Sequence, residues 1–318
     1  MQPARRANRL KDERIPIDVI QVPMALGADR DGVDRGAAEL DRAVRERLKS
    51  RGFDHVADRL RESKEIAVDS LGSVPESDHP SVRALHVDAI ASASHLLAEE
   101  VERSVQAGNL ALVIGGDHAL SIGSLAGAST LGRLGVIWID AHADINTPET
   151  SPSGHVHGMP LAAAIGRGPE QLVRVGSRAD LKLEDLVYIG LRDVDLGERV
   201  FLRESPALLY PISSVEALGI AAVTYEAMRR LFERKVDAVH LSFDLDSLDP
   251  TIMPGTGTRA PGGLTYREAR QMLTLLRASD LPIVSVDVVE LNPTLDCTNG
   301  SLDIAAGLTA ALLGEELV

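Results

Sequence analysis

The chain has 318 residues, 44% hydrophobic and 25% charged, a composition typical of a globular protein. Its formal net charge of −14 argues against a nucleic-acid partner, because such proteins present basic surfaces. No apolar run is long enough for a membrane span. The single cysteine, Cys297, excludes a disulfide within the chain and suits a reducing compartment, so we expect a cytoplasmic location.

The first residues differ in composition from the rest of the chain. Residues 1–14 are basic and lack the apolar stretch of a secretory signal, which predicts a flexible tail; an arginine-rich transit peptide is the alternative. From residue 15 to residue 318, strand-like and helix-like segments alternate without a linker rich in proline, glycine or serine. This pattern predicts one α/β domain.

Apolar runs rich in β-branched residues predict the strands, and they are continuous, as in a parallel sheet covered on both faces. They lie at 17–22, 110–115, 135–140, 186–191, 238–243 and 282–289, with a weaker run at 207–212. Helical periodicity predicts helices at 36–52, 81–108, 224–235 and 265–279. In the last of these helices, Thr265 and Glu268 have the spacing of a capping box. The alternation predicts a three-layer α/β/α sandwich.

Unusual polar clusters follow four of these predicted strands. They are GDH (116–118), AHAD (141–144), DLDSLDP (244–250) and ELNP (290–293). Because sites in open parallel sheets form beyond the carboxyl ends of the strands, we expect the four clusters to meet at one edge. Each cluster alone is equally well explained as a polar turn, but four at four strand ends favour a site.

Six side chains from these clusters are of metal-ligand type: His118, Asp140, His142, Asp144, Asp244 and Asp246. Four carboxylates that converge without cations would repel one another, by roughly 4 kcal/mol per pair at about 4 Å. Bridging aspartates allow six such residues to hold two metal ions. The oxygen-rich set without a thiolate favours Mn(II), and Co(II), Ni(II) or Fe(II) can substitute.

A pair of metals acidifies a bridging water to hydroxide, which attacks a trigonal carbon. We predict that His157 is the acid that protonates the leaving amine. Glu290 is predicted to face a cationic substrate, because a carboxylate matches a guanidinium with two parallel hydrogen bonds. Asp144 is predicted to be catalytic, like His157 and Glu290, in addition to being a metal ligand. The glycine- and proline-rich segment 254–263 is interpreted as a rim of the pocket.

These motifs together resemble those of the ureohydrolase superfamily, and specifically the arginases. The resemblance is carried by GGDH, DAHADINTPETSPSGHVHGMP, YIGLRDVDLGE, SFDLDSLDPTIMPGTGTRAPGGLTYRE and DVVELNP, and it extends from residues 32–36 to near the C-terminus. It implies an eight-stranded, mostly parallel sheet and a homotrimer or homohexamer. It also implies hydrolysis of L-arginine to L-ornithine and urea by a hydroxide that bridges two Mn(II) ions.

The resemblance also implies a role for each site residue. One manganese would be held by His118, Asp140, Asp144 and Asp244, and the other by Asp140, His142, Asp244 and Asp246. His157 matches the proton-shuttle histidine of the family, and Glu290 matches the carboxylate that orients the guanidinium.

The substrate's amino-acid end is assigned to a second group of residues on the same resemblance. Asn146 and Ser153 would contact the α-carboxylate, and Asp195 with Glu198 would read the α-amino group. His155 stands in this loop where arginases usually have asparagine, and Ala119 stands where the motif usually has serine. An imidazole at position 155 is bulkier and titrates near neutral pH, so it is expected to alter substrate affinity or specificity.

Two alternatives remain on the sequence alone. One is a related ureohydrolase that acts on agmatine, another guanidino compound or formiminoglutamate. The other is a non-catalytic metal-binding member of the fold, although such a protein is expected to lack a ligand or the shuttle histidine. Deacetylases with a related fold usually hold a single zinc, so metal stoichiometry distinguishes them.

Overall fold

The structure is a computed structural model, and it describes residues 7–68, 84–176, 181–298 and 300–316. Eight strands form one sheet. They are β1 (Ile17–Val22), β2 (Lys64–Glu65), β3 (Leu110–Gly115), β4 (Leu134–Ile139), β5 (Leu186–Ile189), β6 (Leu208–Tyr210), β7 (Ala238–Asp244) and β8 (Ile283–Val289). Every predicted strand is therefore present, within three residues at each end. Strand β2 was not predicted, because it has only two residues, both exposed, and no apolar run.

The strands lie in the order β2-β1-β3-β8-β7-β4-β5-β6, and every neighbouring pair is parallel. The central four, β3, β8, β7 and β4, are fully buried. These are also the four strands that carry the predicted polar clusters. Their carboxyl ends therefore lie side by side at one edge of the sheet.

Helices cover both faces of the sheet. They are α1 (Gly36–Ser50), α2 (Asp54–Ala57), α3 (Val87–Gln106), α4 (Ser121–Ala128), α5 (Pro160–Ala164), α6 (Glu170–Val173), α7 (Leu196–Glu204), α8 (Ile212–Leu218), α9 (Ile220–Arg234), α10 (Tyr266–Ala278) and α11 (Gly300–Leu313). Side chains of α1, α9, α10 and α11 form one apolar core, and those of α3, α4, α5 and α6 form the other. The predicted three-layer arrangement is confirmed.

Strand β4 shows how one apolar run fills both cores. Ile137 and Ile139 lie in the first core, whereas Val136 and Trp138 lie in the second. Successive side chains of a strand point to opposite faces, so a strand buried on both faces needs apolar residues at every position.

The predicted helix ends are corrected at two points. Helix α3 begins at Val87 rather than within 81–86, because His86 has a left-handed backbone (φ 55°); residues 81–83 lie outside the described part of the chain. Helix α9 begins four residues earlier than predicted, directly after Gly219 (φ 80°). The predicted capping box of α10, between Thr265 and Glu268, is present.

The segment before β1 packs more closely than a flexible tail would. Leu10 is fully buried, and the amide of Arg9 donates a hydrogen bond to the carbonyl of Ile283 (3.0 Å). The side chain of Asn8 donates to carbonyl oxygens at the end of α10. The tail predicted over residues 1–14 therefore does not extend to residues 8–10, and residues 1–6 lie outside the described ranges. Among the described residues, no helix is long and apolar enough to cross a membrane.

Candidate active site

The four polar clusters meet at the carboxyl edge of the sheet, as the sequence predicts. His118 begins a short 3-10 turn, His118–Leu120, just after β3. Asp140 follows β4 directly, Asp244 is the last residue of β7, and Glu290 follows β8 directly. Neighbouring parallel strands bring these positions together from residues that are far apart in the chain.

His118 lies at the centre of three carboxylates. Its Nδ1 atom is 3.2 Å from Asp140 Oδ2, 3.0 Å from Asp144 Oδ2 and 3.0 Å from Asp244 Oδ2. All four residues are at most 7% exposed, and Nδ1 has no hydrogen-bond partner of acceptable geometry. A buried nitrogen that faces three carboxylate oxygens in this way has the position of a metal ligand.

The ring of His118 is held from the opposite side. Its Nε2 atom is 2.7 Å from Ser242 Oγ, and the imidazole stacks on the indole of Trp138 with ring centroids 4.2 Å apart and an angle of 6° between the planes. The indole Nε1 of Trp138 also donates to Asp140 Oδ2 (3.0 Å). These contacts direct Nδ1 towards the carboxylates.

A second cluster of ligand type shares Asp140 with the first. His142 Nδ1 lies 3.4 Å from Asp140 Oδ1 and 3.1 Å from Asp246 Oδ2. Two groups of three residues therefore have ligand atoms close enough for one ion each: His118, Asp140 and Asp144, and Asp140, His142 and Asp246. The four buried carboxylates and the orphaned His118 nitrogen fit a pair of divalent cations, which would supply the missing positive charge.

The acids in this cluster strongly influence one another. Burial and the neighbouring charge of Asp140 raise the pKa of Asp144 to about 6. Burial also raises the pKa of Asp244 and Asp246, with like charges nearby as a further cause. For Asp140, the close contacts with His118 and His142 outweigh burial, and its pKa is lowered. Such mutual effects follow when several carboxylates occupy one dry site.

A histidine and a carboxylate lie beside this cluster. His157 Nδ1 is 3.3 Å from Glu290 Oε1, and both residues line the same cavity as the ligand-type side chains. Burial lowers the pKa of His157, but the hydrogen bond and charge of Glu290 outweigh burial and raise it to about 9. In the metal-free protein His157 is therefore protonated at neutral pH, and it can give up a proton to a group in the cavity.

The same cavity contains the residues assigned to the substrate's amino-acid end. Asn146, Ser153, His155, Asp195 and Glu198 all line it. Asn146 Nδ2 donates to Asp195 Oδ2 (2.8 Å), so two of them form a pair across the cavity wall. Glu198 accepts hydrogen bonds from the amides of Ile145 and Asp195, both at 3.0 Å.

Glu198 therefore stabilises the wall of the pocket through its hydrogen bonds to backbone amides. Burial raises its pKa to about 7, although the two amide hydrogen bonds oppose this change. The residue lies in the first turn of α7, where it closes a capping box with Asp195. It fixes the loop that carries Asn146 relative to the start of α7.

Two residues of the site have a left-handed backbone. Asp144 has φ 51° and Glu290 has φ 66°, conformations that non-glycine residues adopt at a cost of order 1–3 kcal/mol. In both residues the turn follows a strand end and directs a carboxylate into the cavity. Strain of this kind is concentrated at functional sites, where the surrounding structure maintains it.

Several residues at the site were not singled out from the sequence. Ser151, Asp193 and Thr258 line the cavity, and Thr258 Oγ1 donates to Asp246 Oδ2 (2.9 Å). The predicted rim at 254–263 is therefore part of the pocket through Thr258. Ser242 could have been found from strand periodicity, because it precedes Asp244 by two residues on the same face of β7.

Comparison with known proteins agrees with this geometry. The family model described as the arginase family matches residues 15–315, which include every residue of the site. The chain belongs to the arginase family. The arginase of Bacillus caldovelox is 42% identical over 312 residues, which cover 95% of this chain and 99% of that protein. The arginase of Bacillus subtilis is 39% identical over 308 residues.

Solved arginase structures show the same fold. The native structure of the Bacillus caldovelox arginase matches with a TM-score of 0.85, covering 96% of this chain and 100% of that one. The Entamoeba histolytica arginase, solved in complex with L-ornithine, matches with a TM-score of 0.82 and 29% identity over 94% of this chain and 99% of that one. The arginase resemblance and the fold predicted from sequence are confirmed, and the chain is a hydrolase of this family.

Proposed function

We propose that the protein hydrolyses L-arginine to L-ornithine and urea. The arrangement that supports this reaction is the pair His157 and Glu290, 3.3 Å apart, in one cavity with the two ligand-type clusters. The family relationship points to the same substrate, because the related proteins of Bacillus caldovelox and Bacillus subtilis are arginases.

Two divalent ions, Mn(II) by preference, are proposed as cofactors. His118, Asp140, Asp144 and Asp244 would hold one ion, and Asp140, His142, Asp244 and Asp246 the other. The oxygen-rich donor set supports manganese over zinc. When bound, such a pair activates a water molecule for attack on a trigonal carbon at neutral pH.

The chain's own residues then perform two tasks. Glu290 is proposed to hold the guanidinium through charge-assisted hydrogen bonds, which orients its carbon towards the ligand cluster. Hydrolysis forms a bond from water oxygen to that carbon and breaks the bond from carbon to the ornithine side-chain nitrogen. The departing nitrogen needs a proton, and His157, whose pKa is raised by its hydrogen bond to Glu290, is proposed to donate it.

The amino-acid end is proposed to bind at the opposite end of the cavity. Asn146 and Ser153 would hydrogen-bond the α-carboxylate, with His155 beside them, and Asp195 would attract the α-ammonium group. Glu198 contributes by fixing the backbone of Ile145 and Asp195. This division of polar groups supports arginine, which carries both a carboxylate and an ammonium group, over agmatine, which lacks the carboxylate.

The remaining features of the proposal concern assembly and location. We propose a homotrimer or homohexamer, as the family resemblance implies. We propose a cytoplasmic location on the ground that the chain has one cysteine, Cys297, which is free and exposed.

A substrate panel tests the proposed function. The manganese-loaded protein is given arginine, agmatine, formiminoglutamate and 3-guanidinopropionate, and urea or formamide release is measured with the corresponding amine. We expect kcat/KM to be highest for arginine, and His157→Ala to lower kcat at least about 100-fold. A higher kcat/KM for agmatine would assign the protein to the alternative function, and an unchanged rate in His157→Ala would contradict the role of that residue.

A further inference from the structure

The GGDH motif contains a buried acid that the proposed reaction does not use. Asp117 is 0% exposed and precedes the candidate ligand His118. A carboxylate buried in this way requires hydrogen-bond donors, because burial of a charge without them is costly.

Both oxygens of Asp117 accept hydrogen bonds from backbone amides. Oδ1 accepts from the amide of Ala119 (2.9 Å), within its own turn. Oδ2 accepts from the amide of Gly27 (2.8 Å), which lies ninety residues earlier in the chain in the loop after β1. The carboxylate therefore fastens this loop to the turn that carries His118.

Gly27 also contacts His157, the candidate proton donor. Its carbonyl oxygen accepts a hydrogen bond from the amide of His157 (3.2 Å). Gly27 thus contacts Asp117 through its amide N–H and the backbone of His157 through its carbonyl oxygen. A β-carbon built on Gly27 would lie 2.5 Å from Asp117 Oδ1 and 2.8 Å from the β-carbon of Ala119, so only glycine fits between them.

We propose that Asp117 is a positioning residue for His157, which it holds in place through the backbone of Gly27. The carboxylate fixes Gly27, and the Gly27 carbonyl fixes the backbone from which the imidazole reaches Glu290 Oε1. This inference rests on the proposed role of His157 in arginine hydrolysis.

The chemistry of the two contacts predicts the effect of Asp117→Asn. The asparagine side chain has one acceptor oxygen, but two backbone N–H groups, those of Gly27 and Ala119, point at this position. Its NH₂ group would therefore face one of these two donors. One of the two hydrogen bonds is therefore lost, and the negative charge is lost with it. Displacement of a catalytic group by a fraction of an ångström to 1 Å lowers the rate by about 10- to 100-fold without a matching loss of substrate binding.

Asp287→Asn is a matched control, because Asp287 is also a fully buried carboxylate near this edge of the sheet. Its Oδ2 accepts hydrogen bonds from Ser121 Oγ (2.7 Å) and from Ser124 Oγ, both at the start of α4, rather than from the Gly27 loop. The Asp287→Asn variant therefore removes a buried charge but leaves the contact between Asp117 and Gly27 intact. Gly27→Ala disturbs the same contact from the opposite side.

The test combines kinetics with hydrogen–deuterium exchange by mass spectrometry on the manganese-loaded protein. For Asp117→Asn and Gly27→Ala, we expect kcat with arginine to fall by about 10- to 100-fold and KM to change by less than about threefold. Exchange should accelerate in peptides that contain residues 24–28 and 155–158. In Asp287→Asn, exchange in these two segments should match the wild type.

Three outcomes would overturn the proposal: unchanged exchange at 155–158 in both variants, an unchanged kcat in both, or full recovery of kcat when the metal is saturated. The last result would mean that Asp117 acts on His118 and its ion. If Asp117→Asn does not fold, Gly27→Ala alone decides between these outcomes. Failure of the proposed function would be visible separately, as a wild-type protein that does not hydrolyse arginine.

Discussion

The amide of His118 donates a hydrogen bond to Glu290 Oε1 at 2.9 Å, and the same oxygen is 3.3 Å from Nδ1 of His157. One carboxylate oxygen therefore joins a candidate metal ligand to the candidate proton donor. The contact spans 172 residues of sequence and exists because β3 and β8 are neighbours in the sheet. Glu290 consequently acts on both the geometry and the charge of the site.

Glu290→Gln separates these two contributions. The amide oxygen can still accept from the His118 amide, but the charge that would bind a guanidinium is removed. We expect kcat/KM for arginine to fall by more than about 100-fold while the metal content stays at two per chain. Steady-state kinetics and elemental analysis measure this, with Glu233→Gln on the exposed surface of α9 as the control. A kcat/KM within threefold of the wild type would contradict the proposed role of Glu290 in binding the guanidinium.

Asp195 and Ser153 can be tested as a pair that reads opposite charges of the substrate. Asp195→Asn removes the carboxylate proposed for the α-ammonium group, so KM should rise about tenfold for arginine and hardly change for 5-guanidinovalerate, which lacks the amine. Ser153→Ala should raise KM for arginine but not for agmatine, which lacks the carboxylate. Equal effects on all three substrates would show that these residues act on the fold of the pocket instead.

His155 is expected to weaken arginine binding relative to an asparagine at that position. Burial lowers the pKa of His155, with His157 as a further cause, so the imidazole is largely uncharged at neutral pH. An asparagine amide is smaller and offers an N–H to the α-carboxylate. We expect His155→Asn to lower KM for arginine at pH 7.5 by about threefold and to leave KM for agmatine unchanged. A rise in KM for arginine would indicate that the imidazole contributes to binding.

The pKa of His157 predicts a pH-dependent stability in the metal-free protein. Its folded-state pKa of about 9 exceeds the ordinary value near 6.5, so protonation stabilises the fold. The contribution is fully present below pH 6.5 and is lost as pH rises through 9. From the size of this shift, it amounts to about 3 kcal/mol at most.

Urea unfolding of the wild type and of His157→Asn, both in chelator, measures this contribution. The wild type should lose its advantage in free energy of unfolding between pH 6 and pH 10, because the asparagine does not titrate. Other titrating groups are common to both proteins and largely cancel in the difference. A difference that is constant over this range would mean that His157 is not protonated in the folded protein.

Strand positions and ligand-type side chains could be predicted from sequence because both depend on short patterns. A buried parallel strand is a continuous apolar run, and the residues directly after it lie at the carboxyl edge, so His118, Asp140 and Asp244 could be placed without coordinates. Helix α11 could not be predicted in this way, because its almost uniformly apolar sequence lacks the periodicity of an amphipathic helix. The contact between Asp117 and Gly27 could not be predicted from the sequence either, since the loop after β1 contains no pattern that indicates its partner.

Removal of the metal tests the electrostatic basis of the site. Asp140, Asp144, Asp244 and Asp246 are buried together, and two ionised carboxylates about 4 Å apart repel each other by roughly 4 kcal/mol. We therefore expect chelation at pH 8 to lower Tm by about 10 °C or more, and saturating Mn(II) to restore it at two ions per chain. Differential scanning fluorimetry and elemental analysis measure both quantities.

The size of this loss should depend on pH. The raised pKa of Asp144, about 6, means that protonation below that pH relieves part of the repulsion in the metal-free protein. The difference in Tm between the loaded and stripped proteins should thus narrow from pH 8 to pH 5.5, where bound metal is also released more readily. Asp246→Asn should bind one ion with high affinity, because His118, Asp140 and Asp144 form a group that does not include Asp246. A Tm that is insensitive to chelator at pH 8 would contradict the view that these carboxylates are buried to hold cations.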